Sequence, residues 1–407
     1  MISFKDNNFI TTKNSNSRFI GYSIYNDVIL TGVNNFYPNI RLLTDNKIIN
    51  PYDEKIMSFG DNLLNNNNNT EYILDNNTKT IIDKTIYFFI YNLDNYYHFI
   101  YDTLPYLYYL KEYNLTDTIL VNYAHENINR LYDFNIDVFN KLELKYIIHD
   151  SNNIYKTLIV PASLTHGGYS NDKPEIEFYN FFDKYLKFTK QIKIFPQKIY
   201  VSRRTHINNN TSNIGTNYTT RRKMINEDLL VSKLNDLGIT EIFTENLTIE
   251  DKINLFSNAT LIIGVVGGGM TNLLFSNKNT KTINIVTPYF LDINYRFRYC
   301  VEHTDYIYFD KVKHSCTSCL SVKHSCTSDN HIPLYSRIKY KNKIGEIIKY
   351  CGNDLYEITL SENIAGFNLT NNYDIKIINI KECEILDKGL NSPYIVDIDE
   401  LIKIINI

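Results

Sequence analysis

Three consecutive glycines, Gly267, Gly268 and Gly269, stand between an apolar run (261–266, LIIGVV) and a second apolar stretch opened by Met270, Thr271 and Asn272. A short apolar run closed by glycine is the pattern of a strand buried on both faces. A strand, a glycine turn and a helix start together make an anion site. Residues without Cβ let a ligand reach the backbone, unpaired N–H groups point at it, and the helix end carries about half a positive charge. The same residues also suit a tight turn that binds nothing, so the choice rests on what the rest of the chain brings to them.

Two arginine pairs are candidates to join the turn. Arg203 and Arg204 end the run 198–202 (KIYVS), and Arg221 and Arg222 open the next helical stretch. Guanidinium is always charged and bonds phosphate oxygens in a bidentate manner, about 1.5–3 kcal/mol for each charged hydrogen bond. Arg204 and Arg222 are the phosphate candidates, although sequence does not order the members within each pair. A solvated basic loop is the competing reading. The polar loop 205–220 between the pairs could close over a bound nucleotide.

These residues need a frame, and the pattern supplies one. After Pro196 the chain reads as a strand at 198–202, a helix at 223–237 stopped by Gly238, and a strand at 241–244. A capping-box-like start at Thr248 opens a helix to about 258, and a strand at 282–286 comes after the glycine turn. That alternation predicts a parallel sheet wound in the Rossmann manner, with ligands beyond the carboxyl ends of its strands. Arg203, Arg204, Glu245 and the glycine turn all fall at those ends. Upstream, strands at 81–91, 118–123 and 157–162 alternate with helical stretches at 97–110, kinked at Pro105, and at 126–143. A long amphipathic helix at 175–192 connects the halves. Residues 1–80 read as short strands and loops.

Length and composition bound the rest. At 407 residues the chain exceeds one ordinary core, and a net charge of −3 argues against wholesale binding to nucleic acid. The N-terminus has no secretory pattern and no apolar run reaches the ~18 residues of a membrane span. The cysteines (300, 316, 319, 326, 351, 383) form no even framework, so reduced thiols and a cytoplasmic location are expected.

The stretch from KIYVSRR to GGGMTNLLF resembles the C-terminal half of glycosyltransferase family 61. Members show a strand ending in Ser-Arg-Arg, an Arg-x-x-x-Asn-Glu helix start, a Glu before a helix, and a His-Gly-Ala-Gly-Leu-Thr-Asn-like turn. Here these are Ser202 to Arg204, Arg222 with Asn226 and Glu227, Glu245, and Gly267 to Asn272. His98 with Asp102-Thr103-Leu104-Pro105 is similar to the family's His followed by Asp-x-Leu-Pro, and the ending VDIDELIKII is similar to family C-termini.

The resemblance implies an α/β GT-B fold of two Rossmann-like domains facing a cleft. It also implies inverting transfer of a sugar from a nucleoside diphosphate-sugar, UDP-sugar first among them, to a glycan or protein hydroxyl. No metal or other cofactor is expected, the nucleotide-sugar being a co-substrate. Glycine-turn amides and arginines would stabilise the departing diphosphate, with Thr271 and Asn272 bonding it and Glu245 accepting from a ribose or uracil donor. Asp102 is expected to be the base for the acceptor hydroxyl and His98 its partner, the two lying four apart on one helix face. The alternative is that His98 packs and Asp102 opens the turn before Pro105. Val266 stands where the family's turn has His, which leaves open a catalytically weakened nucleotide-sugar- or glycan-binding protein. A nucleotide-dependent oxidoreductase is disfavoured, because the glycines lack Gly-x-Gly-x-x-Gly spacing and come late in their sheet.

The expected organisation is an acceptor-side α/β domain at 1–192 and a nucleotide-sugar domain at 193–310. An inserted small all-β module comes next at 311–390, with Gly345, Gly352 and Gly366 at turns, and a strand and helix at 391–407 return to the α/β body. Within the insert, VKHSCTSCLS and VKHSCTSDNH duplicate a short unit. His314, Cys316, Cys319, His324, Cys326 and His331 could suggest zinc, but a slipped repeat in a polar segment is the simpler reading.

Overall fold

The computed structural model describes residues 9–13, 20–31, 39–43, 48–49, 79–91, 93–122, 130–165, 173–187, 193–204, 222–287, 294–301, 305–314, 332, 336–341, 343–361, 374–386 and 392–406. Arg221, the loop 205–220, Gly366 and all of the Cys/His duplication after His314 lie outside these residues.

The first sheet is built from β1 (Phe9–Lys13), β2 (Ile20–Thr31), β3 (Asn39–Leu42), β4 (Ile48–Ile49), β5 (Thr80–Phe88), β6 (Thr118–Val121), β7 (Lys145–Ile148) and β8 (Asn153–Pro161). Their order is β4-β3-β2-β8-β5-β6-β7, with β1 on β2. Strands β8, β5, β6 and β7 are parallel, and β1 to β4 extend the sheet antiparallel. The strand order reverses between β8 and β5, because the crossovers from β5 lead to β6 and β7 on one side while β8 returns on the other.

Between β5 and β6 the chain makes a broken helix: α1 (Tyr96–His98), a π turn at Phe99–Thr103, a 3-10 turn at Leu104–Tyr106 and α2 (Leu107–Glu112). Pro105 has no N–H to give to the preceding turn, so the hydrogen-bond register changes there from π to 3-10. The expected single kinked helix is thus several short pieces. Helix α3 (Asp133–Lys141) joins β6 to β7. Helix α4 (Ile176–Phe181) and a π turn at Phe182–Leu186 replace the long helix expected to 192; residues 188–192 lie outside the described set.

The second sheet is wholly parallel: β9 (Lys198–Val201), β10 (Thr240–Ile242), β11 (Leu261–Val265), β12 (Lys281–Ile285) and β13 (Tyr306–Phe309), in the order β10-β9-β11-β12-β13. Helix α5 (Glu227–Asp236) leads from β9 to β10, α6 (Ile249–Asn258) from β10 to β11, and α7 (Asn294–Arg298) precedes β13. The order reverses between β9 and β11, the position at which open parallel sheets bind ligands. Strand β11 is buried along its whole length, as its apolar run predicts. One apolar core runs without a break between the sheets, from Phe89, Phe99 and Phe134 to Phe256, Leu273 and Phe275.

Strand β14 (Val312–His314) leaves this body, and β20 (Tyr394–Val396) returns antiparallel to it. Between them β15 (Arg337–Tyr340), β16 (Lys343–Gly352), β17 (Leu355–Ser361), β18 (Asp374–Asn379) and β19 (Glu384–Ile385) form an antiparallel sheet ordered β18-β17-β16-β15-β19 around its own core of Ile338, Ile347 and Ile358. Gly345 lies within β16, pressed against Thr359 of β17, rather than at a turn. Gly352 ends the strand at φ +93°, where glycine is at ease. Helix α8 (Ile398–Ile405) packs Ile398 and Leu401 on the second sheet beside Tyr200 and Ile263.

Candidate active site

The glycine turn leaves the carboxyl end of β11 between β9 and β12 and runs into a 3-10 helix at Gly268–Phe275, not the α-helix start expected. Three-residue hydrogen bonds fix that form. Met270 N–H donates to Gly267 O (2.9 Å), Ser276 N–H to Leu273 O (2.9 Å), and Asn272 Nδ2 to Gly269 O (2.9 Å). Asn272 Oδ1 accepts a 2.5 Å bond from the Tyr96 hydroxyl of α1. Both polar atoms of this fully buried side chain therefore have partners inside the protein, which fix Asn272 in the turn. Thr271 is also fully buried, and its Oγ1 has no hydrogen-bond partner among the described residues.

Two guanidinium groups converge on the turn. A Cβ on Gly267 would overlap Arg203 Nη1 and would lie 3.5 Å from Arg222 Nη2. Arg222 also donates from Nη2 to Val266 O at 3.2 Å, while the Val266 side chain is buried in the core. Burial, then the neighbouring Arg203 charge, push the Arg222 pKa well below its ordinary value. Two like charges drawn together at a backbone turn favour an anion between them.

The other members of the motif hold these two in place. Glu227 Oε1, buried in the first turn of α5, accepts from Tyr200 Oη (2.8 Å), Ser202 Oγ (2.9 Å) and Arg203 N–H (3.0 Å), which fixes the end of β9. Asn226 bonds Val396 twice, Nδ2 to its carbonyl (2.7 Å) and Oδ1 from its N–H (3.0 Å). The segment before α5, which begins with Arg222, is thereby tied to β20. Arg204 points to other partners: its Nε donates to Glu241 Oε1 (2.6 Å) and its Nη1 to Asp228 Oδ1 (2.5 Å). Of the pair, Arg203 rather than Arg204 meets the glycines. Glu245 is half-buried just past β10 and attracts Lys252 of α6.

The segments after β5 and β8 of the first sheet bring a second cluster. His98 Nδ1 lies 2.6 Å from Asp102 Oδ2; the Asp102 side chain has no exposure, whereas that of His98 is 25% exposed. Asp102 sits in the π turn and accepts at Oδ1 from Thr165 Oγ1 (3.2 Å), just past β8, while Arg296 Nη1 of α7 lies 3.6 Å from Oδ2. This cluster follows the carboxyl ends of β5 and β8, at the reversal of the first sheet, and Tyr96 of the same segment is bonded to Asn272 in the turn of the second. Neither Thr165 nor Arg296 carries a sequence signal, because each meets Asp102 only through the tertiary fold.

Among the described residues no group of three or more His, Cys, Asp or Glu is placed to hold a metal ion, and no helix is long and apolar enough to cross a membrane. No curated protein matches the chain. A family model described as Glycosyltransferase 61 matches residues 96–283. The match runs from Tyr96, two residues before His98, through both arginine positions and the glycine turn into β12. Over this segment the chain is similar to glycosyltransferase family 61.

Proposed function

We propose that the protein is an inverting GT-B glycosyltransferase that moves a sugar from a UDP-sugar to a hydroxyl of a glycan or protein, without a metal ion and in the cytoplasm. The observation that carries this reading is the convergence of Arg203 and Arg222 on Gly267 at the β9/β11 reversal. A diphosphate fits such a place: backbone N–H groups approach it closely and two fixed cations neutralise it.

In the step assigned to the site, the acceptor oxygen attacks the anomeric carbon from the face opposite the diphosphate, and the bond from that carbon to the diphosphate oxygen breaks. UDP leaves with the electron pair, its growing charge met by Arg203, Arg222 and the turn. The acceptor proton passes to a base. Asp102 is enclosed by His98, Thr165 and Arg296, so the geometry favours His98 as that base, through Nε2, with Asp102 orienting the ring at Nδ1. This exchanges the roles expected from the sequence.

A second reading has one observation in its favour. Val266 turns its side chain into the core, so the contact that a family His would make is missing there, and a protein that binds the donor without turnover would result. A thermal-shift panel of UDP-sugars, with UDP release then measured for those that bind, separates the two. A ligand of the folded state raises the melting temperature. Binding with UDP release supports transfer, binding without it supports the second reading, and no shift with any UDP-sugar removes both.

A further inference from the structure

The geometry points to Lys252 as a positioning residue whose ammonium, seated on the Tyr96 ring, holds the glycine turn of the second sheet against the catalytic segment of the first. This rests on the function proposed above for what the held parts do, but the clamp itself is a matter of contacts.

Lys252 is on α6 and only 3% exposed. Its Nζ lies 4.4 Å from the Tyr96 ring centroid, a cation–π contact made out of water, where such contacts are strongest. The Tyr96 hydroxyl donates to Asn272, which in turn bonds Gly269, and the Tyr96 ring is 3.9 Å from where a Cβ on Gly268 would be. On its other side Tyr96 is continuous with His98, whose N–H is held by Asn95 Oδ1 at 3.1 Å. A single aromatic side chain thus touches the donor-side turn while its backbone carries the dyad. A cation over its face polarises the phenol and strengthens the bond that it donates.

The charged groups facing Lys252 come from both halves: Asp137 on α3 and Glu245 after β10. Beside them, Lys141 of α3 pairs with Glu250 of α6 at 2.6 Å. Burial pulls the Lys252 ammonium down to about 8, with Asp137 and then Glu245 opposing that fall. Its charge is therefore lost in mildly alkaline solution, which makes the clamp testable without any substrate.

The test is a pH titration from 6.5 to 9.5 of protein labelled with [15N]glycine, with the Gly268 and Gly269 amides assigned through Gly268→Ala. The amides of Gly268 and Gly269 should shift with a midpoint near 8 in the native protein. They should stay flat in Lys252→Arg, whose charge persists, and in Tyr96→Phe, which keeps the ring but lacks the donor. Amides that do not move in the native protein, or that move equally in Lys252→Arg and Tyr96→Phe, overturn the proposal. Failure of UDP to bind would strike the functional reading and leave this result intact.

Discussion

Asp102, with no solvent exposure, holds Nδ1 of the partly exposed His98 at 2.6 Å. A buried carboxylate behind an imidazole sets its tautomer and leaves Nε2 to meet substrate, and the carboxylate also supports the imidazolium that forms after proton transfer. His98→Gln should lower turnover by roughly 10²–10⁴-fold, the range for a lost general base, with UDP affinity unchanged. Asp102→Asn should lower turnover similarly and also leave UDP affinity intact. Steady-state UDP release alongside UDP calorimetry checks both. Full activity in His98→Gln would remove the dyad from the mechanism.

Asp102→Ala should behave differently from Asp102→Asn. Removing the carboxylate leaves Arg296, Thr165 and His98 facing a void, and breaking a buried charged cluster costs about 3–5 kcal/mol. Urea denaturation of the two variants would show a large loss for alanine and a smaller one for asparagine.

The glycines are not equivalent. A methyl at Gly267 would collide with Arg203 Nη1, whereas one at Gly268 would make an ordinary contact with Tyr96 at 3.9 Å. Gly267→Ala should displace the guanidinium and weaken UDP binding at least tenfold, and Gly268→Ala should fold and leave the arginines in place. Equal UDP affinity in the two would argue against close approach at Gly267.

His149 provides a pH dependence remote from the site. Burial draws its imidazolium down to about 4, with Asp150 opposing. The free side chain titrates near 6.5, so on acidification the unfolded chain takes up this proton first. The neutral-state advantage is whole above pH 6.5 and is lost as pH falls toward 4, about 3 kcal/mol when complete. The stability difference between native protein and His149→Gln, from urea curves at pH 7.5 and 4.5, should shrink by roughly that amount. A difference independent of pH would contradict the assignment.

Local signals in the sequence read well. Leu261–Val265 is the buried strand that its apolar run predicts, and Thr248 caps α6 by accepting from Asp251 N–H at 3.2 Å. The Arg-x-x-x-Asn-Glu start also stands where expected, before α5. What escaped depends on distant partners. Arg203 and Arg204 are chemically identical neighbours, and only the placement of Glu241 and Asp228 decides that Arg204 is drawn away from the glycines. The bond from Tyr96 of α1 to Asn272 joins residues 176 positions apart, which no local pattern announces. Strands β7 and β13 include exposed positions, so no wholly buried apolar run marks them. The broken helix at 96–112 needed both Pro105 and the tertiary bond from Thr103 Oγ1 to Tyr91 O (3.1 Å) to fix its form.

Calorimetry of UDP with the native protein and three arginine variants bears most directly on the convergence of Arg203 and Arg222 at Gly267. Each lost charged hydrogen bond is worth about 1.5–3 kcal/mol, so Arg203→Ala and Arg222→Ala should each weaken UDP roughly 10- to 100-fold. Arg204→Ala should bind UDP as the native protein does, because its guanidinium serves Glu241 and Asp228. Loss of binding in Arg204→Ala alone, with Arg203→Ala and Arg222→Ala binding normally, would contradict a diphosphate site at this turn.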